Sequence, residues 1–93
     1  MKKAKIEIKY CTGCKWMLRA AWMQQELLQT FEKEIESISL LPEKETGGVF
    51  DIKVNGAIVF SYKVSKRFPQ PKEIKQHIRD IISPQKDLGH IDR

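Results

Sequence analysis

The fold of this chain is decided at residues 5–33, which read KIEIKYCTGCKWMLRAAWMQQELLQTFEK. The first residues of this stretch alternate between apolar and charged side chains, with Ile6 and Ile8 on one face, which is typical of a half-buried strand. From residue 14 to residue 33, the main apolar residues fall within an arc of about 80° when each residue turns by about 100°. The stretch therefore predicts a short strand that leads into a long amphipathic helix.

The junction between these two elements contains the only cysteines of the chain, in the sequence Cys11-Thr12-Gly13-Cys14. Free backbone N–H groups and the positive end of the helix dipole favour a thiolate at such a junction. The dipole supplies about 0.3–1 kcal/mol, whereas lowering a thiol pKa by about two units needs about 2.7 kcal/mol, so direct hydrogen bonds must supply the rest. Thr12 and Gly13 leave backbone donors accessible, and Lys15 adds a cation beside Cys14. We therefore predict a reversible dithiol, since this spacing also permits a disulfide without large backbone movement.

The rest of the chain contains three further strand-like runs and a second helix-like run, at residues 34–41, 49–54, 57–63 and 72–82. Pro42 closes the first run, Asn55-Gly56 favours a type I′ turn between the next two, and Pro71 suits the first helical turn. The order β-α-β-β-β-α predicts an α/β fold, a two-layer sandwich with a mixed four-stranded sheet. The dithiol then lies at the carboxyl end of the first strand, where open α/β sheets place their sites.

Length and composition indicate one domain over residues 1–93, with a polar tail at residues 85–93. No apolar run reaches the roughly 20 residues of a membrane span, and the amino terminus runs into a strand without a secretory signal pattern, so we expect a cytoplasmic protein. The net charge of +5 is spread along the chain without a basic run or an interleaved aromatic pattern. We therefore expect neither nucleic acid nor a membrane as partner.

Several segments together resemble one protein family. They are the dithiol loop, the long helix, Thr46-Gly47-Gly48-Val49-Phe50-Asp51-Ile52, Val54-Asn55-Gly56 and Arg67-Phe68-Pro69. Over nearly all of its length the chain is similar to the selenoprotein W family of thioredoxin-like proteins, in the bacterial form that has two cysteines. The resemblance implies a thioredoxin-like fold and a thiol-based redox function.

The resemblance also bears on which cysteine attacks. The selenocysteine of selenium-containing members falls on Cys14, and its cysteine partner falls on Cys11. In thioredoxins, in contrast, the first cysteine is the nucleophile. We follow the selenocysteine position and favour Cys14 as attacker and Cys11 as resolver. Where thioredoxins have a cis-proline opposite the dithiol, this chain has Gly47-Gly48, whose backbone is a candidate to bind an extended peptide or glutathione.

Other interpretations remain open beside the redox one. A local zinc site is disfavoured because His77 and His90 lack the required spacing, so we expect no metal. Leu18 and Trp22 lie opposite the main helix stripe and form a candidate apolar patch for a protein partner. Phe68 either flanks the dithiol or anchors its own loop.

The sequence thus predicts a small thiol–disulfide redox protein that acts on an oxidised protein or a small-molecule thiol. We expect no cofactor, with glutathione as a candidate thiol donor. The alternative function is a protein-binding module whose partner contact is gated by the redox state of the dithiol. The sequence makes no prediction of the oligomeric state.

Overall fold

Alternating apolar residues build a four-stranded sheet in the computed structural model of the protein, which describes residues 3–89. Its strands are β1 (Ala4–Cys11), β2 (Ile35–Glu43), β3 (Phe50–Val54) and β4 (Ala57–Ser61), in the spatial order β2-β1-β3-β4. Strand β1 pairs in parallel with β2 and antiparallel with β3, which pairs antiparallel with β4. The predicted mixed four-stranded sheet is confirmed.

Within residues 3–89, three helices accompany the sheet: α1 (Met17–Thr30), α2 (Tyr62–Ser65) and α3 (Pro71–Ile82). The inward-facing residues of β1 and β3, such as Ile8 and Ile52, are buried together with Leu27 of α1 and Ile78 of α3. The alternate strand residues, Glu7 among them, stay at the solvent-facing side of the sheet. One sheet and one layer of helices therefore enclose the core, as predicted for a two-layer α/β fold.

The first helix is shorter than predicted. It begins at Met17 and ends at Thr30, whereas the periodicity indicated residues 14–33. At the start, Lys15 has a left-handed φ of 64°, and its N–H donates to the Thr12 carbonyl at 3.0 Å. The residues after Cys11 therefore form a turn rather than helix, and the apolar Trp16 that extended the helical pattern contacts other aromatic rings instead.

Two strand ends also differ from the prediction. Pro42 lies inside β2, paired with Tyr10, rather than after the strand. Because β2 is at the edge of the sheet, a residue without an N–H is tolerated there. Strand β4 stops at Ser61, two residues before the predicted end, and the chain turns into α2, where the Tyr62 ring packs at 5.0 Å from that of Trp16.

The carboxyl-terminal segment is only partly the polar tail that we predicted. Leu88 is 3% exposed and belongs to the hydrophobic core, and Lys86 Nζ lies 3.3 Å from Glu34 Oε2. Leu88 is buried although its neighbours in the sequence are polar, because burying a leucine side chain stabilises the folded chain by about 1.5–3 kcal/mol. Residues 90–93 of the predicted tail lie outside the described residues.

Across residues 3–89, no helix has the length and apolar character needed to cross a membrane.

Candidate functional site

The two cysteines lie where β1 ends. Cys11 is the last residue of that strand and is 3% exposed, whereas Cys14 is half-buried in the following turn. They are joined as a disulfide, with their Cα atoms 5.4 Å apart. This separation is within the usual range for a disulfide, so the turn holds both sulfurs in position to bond reversibly.

Backbone hydrogen bonds attach the dithiol turn to two other segments. The Cys11 N–H donates to the Val49 carbonyl at 2.8 Å, and the Thr12 N–H donates to the Glu43 carbonyl at 3.0 Å. The Thr12 hydroxyl donates to the same Glu43 oxygen at 3.0 Å. Thr12 therefore anchors the turn to the end of β2, while Cys11 is held beside the residues that precede β3.

One backbone donor points at a sulfur. The Cys14 N–H donates to Cys11 Sγ at 3.1 Å. An N–H bond to sulfur is worth more when the sulfur is a thiolate, since hydrogen bonds to charged groups are about twice as strong as neutral ones. The donor supplied by the turn thus favours an anion on Cys11. Lys15 is exposed on the same turn.

The glycines around the dithiol differ in backbone conformation but not in the space around them. A Cβ at Gly13, Gly47 or Gly48 would meet no atom within 4 Å, so the space around each is open. Only Gly48 has a positive φ, 74°, which disfavours a side chain on conformational grounds. The Cys11–Val49 hydrogen bond brings the end of this glycine loop next to the dithiol turn, with an accessible backbone.

Glu43 organises the loop that contains these glycines, a role that sequence reasoning missed. Its Oε2 accepts the N–H groups of Glu45 and Thr46 at 3.1 Å and 3.0 Å. These two bonds, together with the charge of Lys9, hold the pKa of the Glu43 carboxyl below its ordinary value despite some desolvation. A glutamate that accepts N–H groups two and three residues further along the chain has no distinctive sequence pattern, so the sequence did not indicate this role.

An aromatic cluster adjoins the dithiol turn through Trp16, whose N–H donates to the Cys11 carbonyl at 3.3 Å. Trp16, Phe50, Tyr62 and Phe68 come from four different segments, and the Phe68 ring centroid is 4.7 Å from Trp16, 5.4 Å from Phe50 and 4.8 Å from Tyr62. Phe68 is half-buried and anchors its own loop through these rings. Residues so far apart along the chain give no periodic pattern, so the sequence did not indicate the cluster.

Leu18 and Trp22 are exposed on α1, by 74% and 51%. They are one helical turn apart, so they share a face, and Met17 beside them is also exposed. Trp22 additionally borders a shallow cleft that is lined by Arg19, Met23, Phe50, Phe68 and Pro69. The predicted apolar patch is therefore on the surface, near the start of the helix that follows the dithiol.

No group of three or more His, Cys, Asp or Glu side chains among the described residues is arranged to hold a metal ion.

Comparison with known proteins places this architecture in a family. No curated protein matches the chain in sequence. A solved selenoprotein W-related protein from Vibrio cholerae is 50% identical with a TM-score of 0.83, over 88% of this chain and 100% of that one. A solved protein from Bordetella parapertussis is 48% identical with a TM-score of 0.81, over 86% of this chain and 99% of that one. The resemblance seen in the sequence is thus confirmed.

A family model reaches the same result. It matches residues 5–80, which include the sheet except Ala4, together with the dithiol turn and the aromatic cluster. Family membership and two cysteines at disulfide distance together indicate a thiol redox role. On this evidence the chain belongs to the Rdx family, whose solved relatives include a selenoprotein W-related protein.

Proposed function

We propose that this protein is a thiol–disulfide exchange protein in which Cys14 attacks the substrate and Cys11 resolves the mixed disulfide. The observation that carries the proposal is the unequal exposure of the two sulfur-bearing residues. Cys14 is half-buried at the surface of the turn, whereas Cys11 is 3% exposed at the end of β1. An attacking thiolate needs access to an external sulfur, and a resolving thiolate needs access only to its neighbour.

The reaction consists of two exchanges. The Cys14 thiolate attacks a disulfide R–S–S–R′, forms Cys14–S–S–R and releases R′S⁻, which takes a proton from water. The Cys11 thiolate then attacks Cys14 Sγ, forms the Cys11–Cys14 disulfide and releases RS⁻. Two electrons pass from the dithiol to the substrate, which is reduced to two thiols.

Return to the dithiol needs two equivalents of an external thiol, for which glutathione is the candidate donor. The first thiolate attacks the accessible Cys14 Sγ, and Cys11 leaves as a thiolate that the Cys14 N–H stabilises through its 3.1 Å bond. A second external thiolate then attacks the sulfur of the first donor in this mixed disulfide. The Cys14 thiolate is released, and the two donor molecules leave joined by a disulfide. A stabilised leaving group speeds the first of these steps.

The substrate is an oxidised protein or a small-molecule disulfide in the cytoplasm, bound in extended form along Gly47 and Gly48. Support for this binding mode comes from the open space at both glycines and from the Cys11–Val49 hydrogen bond beside them. Backbone pairing of this kind is tolerant of substrate sequence, since it uses groups that every peptide has.

One test combines redox equilibration with trapping. In defined glutathione buffers, mass spectrometry is expected to show a reversible Cys11–Cys14 disulfide with a potential between about −270 and −200 mV. The Cys11→Ser variant is expected to accumulate a mixed disulfide on Cys14, because its resolving thiol is missing, whereas Cys14→Ser accumulates none. The reverse pattern would assign the attack to Cys11, and no disulfide at any buffer ratio would refute exchange chemistry.

A second candidate function is favoured by the exposure of Leu18 and Trp22. In this alternative, the protein is a binding module that presents these side chains to a protein partner, and the dithiol only gates the contact. The double variant Cys11→Ser/Cys14→Ser separates the two. If the double variant no longer reduces disulfides but still binds the partner, the result supports catalysis. If the wild type does not reduce disulfides and the double variant loses the dependence of partner binding on redox state, the result supports the binding module.

A further inference from the structure

Arg19 is an exposed cation that contacts an aromatic ring but is paired with no carboxylate among residues 3–89. Its Cζ atom lies 4.0 Å from the centroid of the Phe68 ring, which is itself packed among three other rings. No salt bridge or hydrogen bond joins the Arg19 guanidinium to any carboxylate between residues 3 and 89. Arg67 and Arg79, in contrast, are paired with Glu73 and Asp80.

This guanidinium borders an apolar cleft that shares Phe50 and Phe68 with the aromatic cluster. The other residues that line the cleft are uncharged: Trp22, Met23, Phe50, Phe68 and Pro69. The cleft adjoins the redox site through Trp16, which follows Cys14 by two residues and packs at 4.7 Å from the Phe68 ring. A peptide joined to Cys14 therefore has both an apolar wall and an unpaired cation within a few residues' reach, since an extended chain advances about 3.3 Å per residue.

We propose that Arg19 and Trp22 form a specificity subsite for a protein segment that carries a carboxylate and an apolar side chain close to its oxidised cysteine. The inference rests on the proposed function, whose substrate class it defines. Arg19 binds the carboxylate and Trp22 contacts the apolar side chain. Because the guanidinium already contacts the Phe68 ring, less side-chain freedom is lost when the anion binds than for an arginine without such a contact.

The overall charge acts in the same direction. A net charge of +5 attracts acidic segments before any contact is made, and it raises the rate of encounter at low salt. That effect belongs to the whole surface, whereas the preference at the cleft depends on one side chain. The two effects are separable by removing a positive charge elsewhere.

The first experiment measures exchange rates with a set of oxidised cysteine peptides. Each peptide carries leucine beside the cysteine and Glu, Gln or Lys at one to four positions from it. The wild type is expected to reduce the best Glu peptide about five- to tenfold faster, in kcat/KM, than its Gln counterpart, as a partly exposed charge-assisted contact allows. Arg19→Gln is expected to remove this preference, Arg19→Glu to shift it to the Lys peptide, and Arg19→Lys to retain part of it.

The matched control is Lys33→Gln, which removes the same charge at an exposed position after the carboxyl end of α1. It is expected to keep the preference for the Glu peptide. If Lys33→Gln and Arg19→Gln reduce the preference equally, net charge alone explains it and the subsite is refuted.

The second experiment measures binding without redox chemistry. The same peptides are made with serine in place of cysteine and titrated against the protein while the NMR signals of the Arg19 side chain and the Trp22 indole are followed. The Glu peptide is expected to bind the wild type about five- to tenfold more tightly than Arg19→Gln. Equal binding would refute the subsite whether or not the protein exchanges disulfides, and binding without exchange would refute only the proposed reaction.

Discussion

The dithiol turn and the Asn55-Gly56 hairpin turn lie at opposite ends of the sheet and obtain their shapes in different ways. Both contain a residue other than glycine with a positive φ, Asn55 at 51° and Lys15 at 64°. Asn55 is a residue type that adopts this conformation readily, and the following Gly56 at 89° adopts it without steric penalty. Lysine has no such preference.

The difference lies in what holds each turn. The hairpin is specified by its own two residues, and Asn55 adds bonds to Lys5, whose N–H donates to Asn55 Oδ1 at 2.9 Å. The dithiol turn is held by the Val49 and Glu43 carbonyls, more than thirty residues further along the chain. A turn that depends on distant partners can hold a strained residue and a half-buried cysteine, because the rest of the fold opposes relaxation.

The largest effect on stability is expected at the hairpin. Gly56→Ala places a side chain at a φ of 89° and is expected to reduce the free energy of unfolding by about 1–2 kcal/mol. The exchange rate of the folded protein is expected to stay unchanged, because the hairpin is at the far end of β1. Urea unfolding monitored by circular dichroism measures the loss.

The matched substitution at the other turn is Gly13→Ala. Gly13 has no positive φ, and its Cβ position is open, so we expect no loss of stability. A loss at Gly13 as large as that at Gly56 would show that the dithiol turn, too, is specified by local conformation.

An intermediate effect of opposite sign is expected at Lys15. Lys15→Gly relieves the left-handed conformation and is expected to stabilise the protein by about 0.5–1 kcal/mol, less the entropy that glycine adds to the unfolded chain. Lys15→Asn is expected to give part of the gain, and Lys15→Arg none, since arginine keeps both the strain and the charge. The three variants are compared by thermal unfolding; an equal gain for Arg would assign the effect to something other than backbone strain.

The smallest effect is a dependence on pH at Glu43. Because hydrogen bonds from Thr46 and Glu45 lower the pKa of this carboxyl in the folded protein, its contribution to stability is present above its ordinary pKa of 4.5. That contribution is lost as the pH falls through the lower, folded pKa. Wild type is thus expected to be slightly more stable than Glu43→Gln at pH 7.

The difference between these two proteins is expected to shrink in acid and disappear once Glu43 is protonated in both folded and unfolded states. Thermal unfolding of the pair from neutral pH down to acid measures this convergence. Glu7→Gln is a suitable control, as the Glu7 side chain is exposed on the open side of the sheet and its carboxylate makes no hydrogen bond or salt bridge with the described residues. A constant difference between wild type and Glu43→Gln at every pH would contradict the role given to the carboxylate.

Much of the architecture was predictable because it depends on local patterns. Alternation at Ile6 and Ile8 identified β1, and the spacing of Ala20, Met23 and Leu27 identified α1, because each pattern reports which face is buried. The Asn55-Gly56 pair identified the hairpin because these two residues tolerate the positive φ angles of its turn. Errors came at element ends, where Trp16, Pro42 and Tyr62 take positions that distant contacts decide.

The candidate site was predictable only in part. The spacing of Cys11 and Cys14 and their place after a strand indicated a dithiol, because both features are local. The role of Glu43 and the ring that contacts Arg19 were not predictable, since each depends on residues apart from one another in the sequence.

By itself the sequence determined that this protein is an α/β chain with a redox-competent pair of cysteines between its first strand and first helix. Only the tertiary structure decided that Cys11 is buried, that Cys14 is half-buried, and that Arg19, which pairs with no carboxylate of residues 3–89, borders an apolar cleft. The physical reason is the range of the interactions. Periodicity and turn preference act over a few residues, whereas exposure and charge neutralisation depend on every segment that packs nearby.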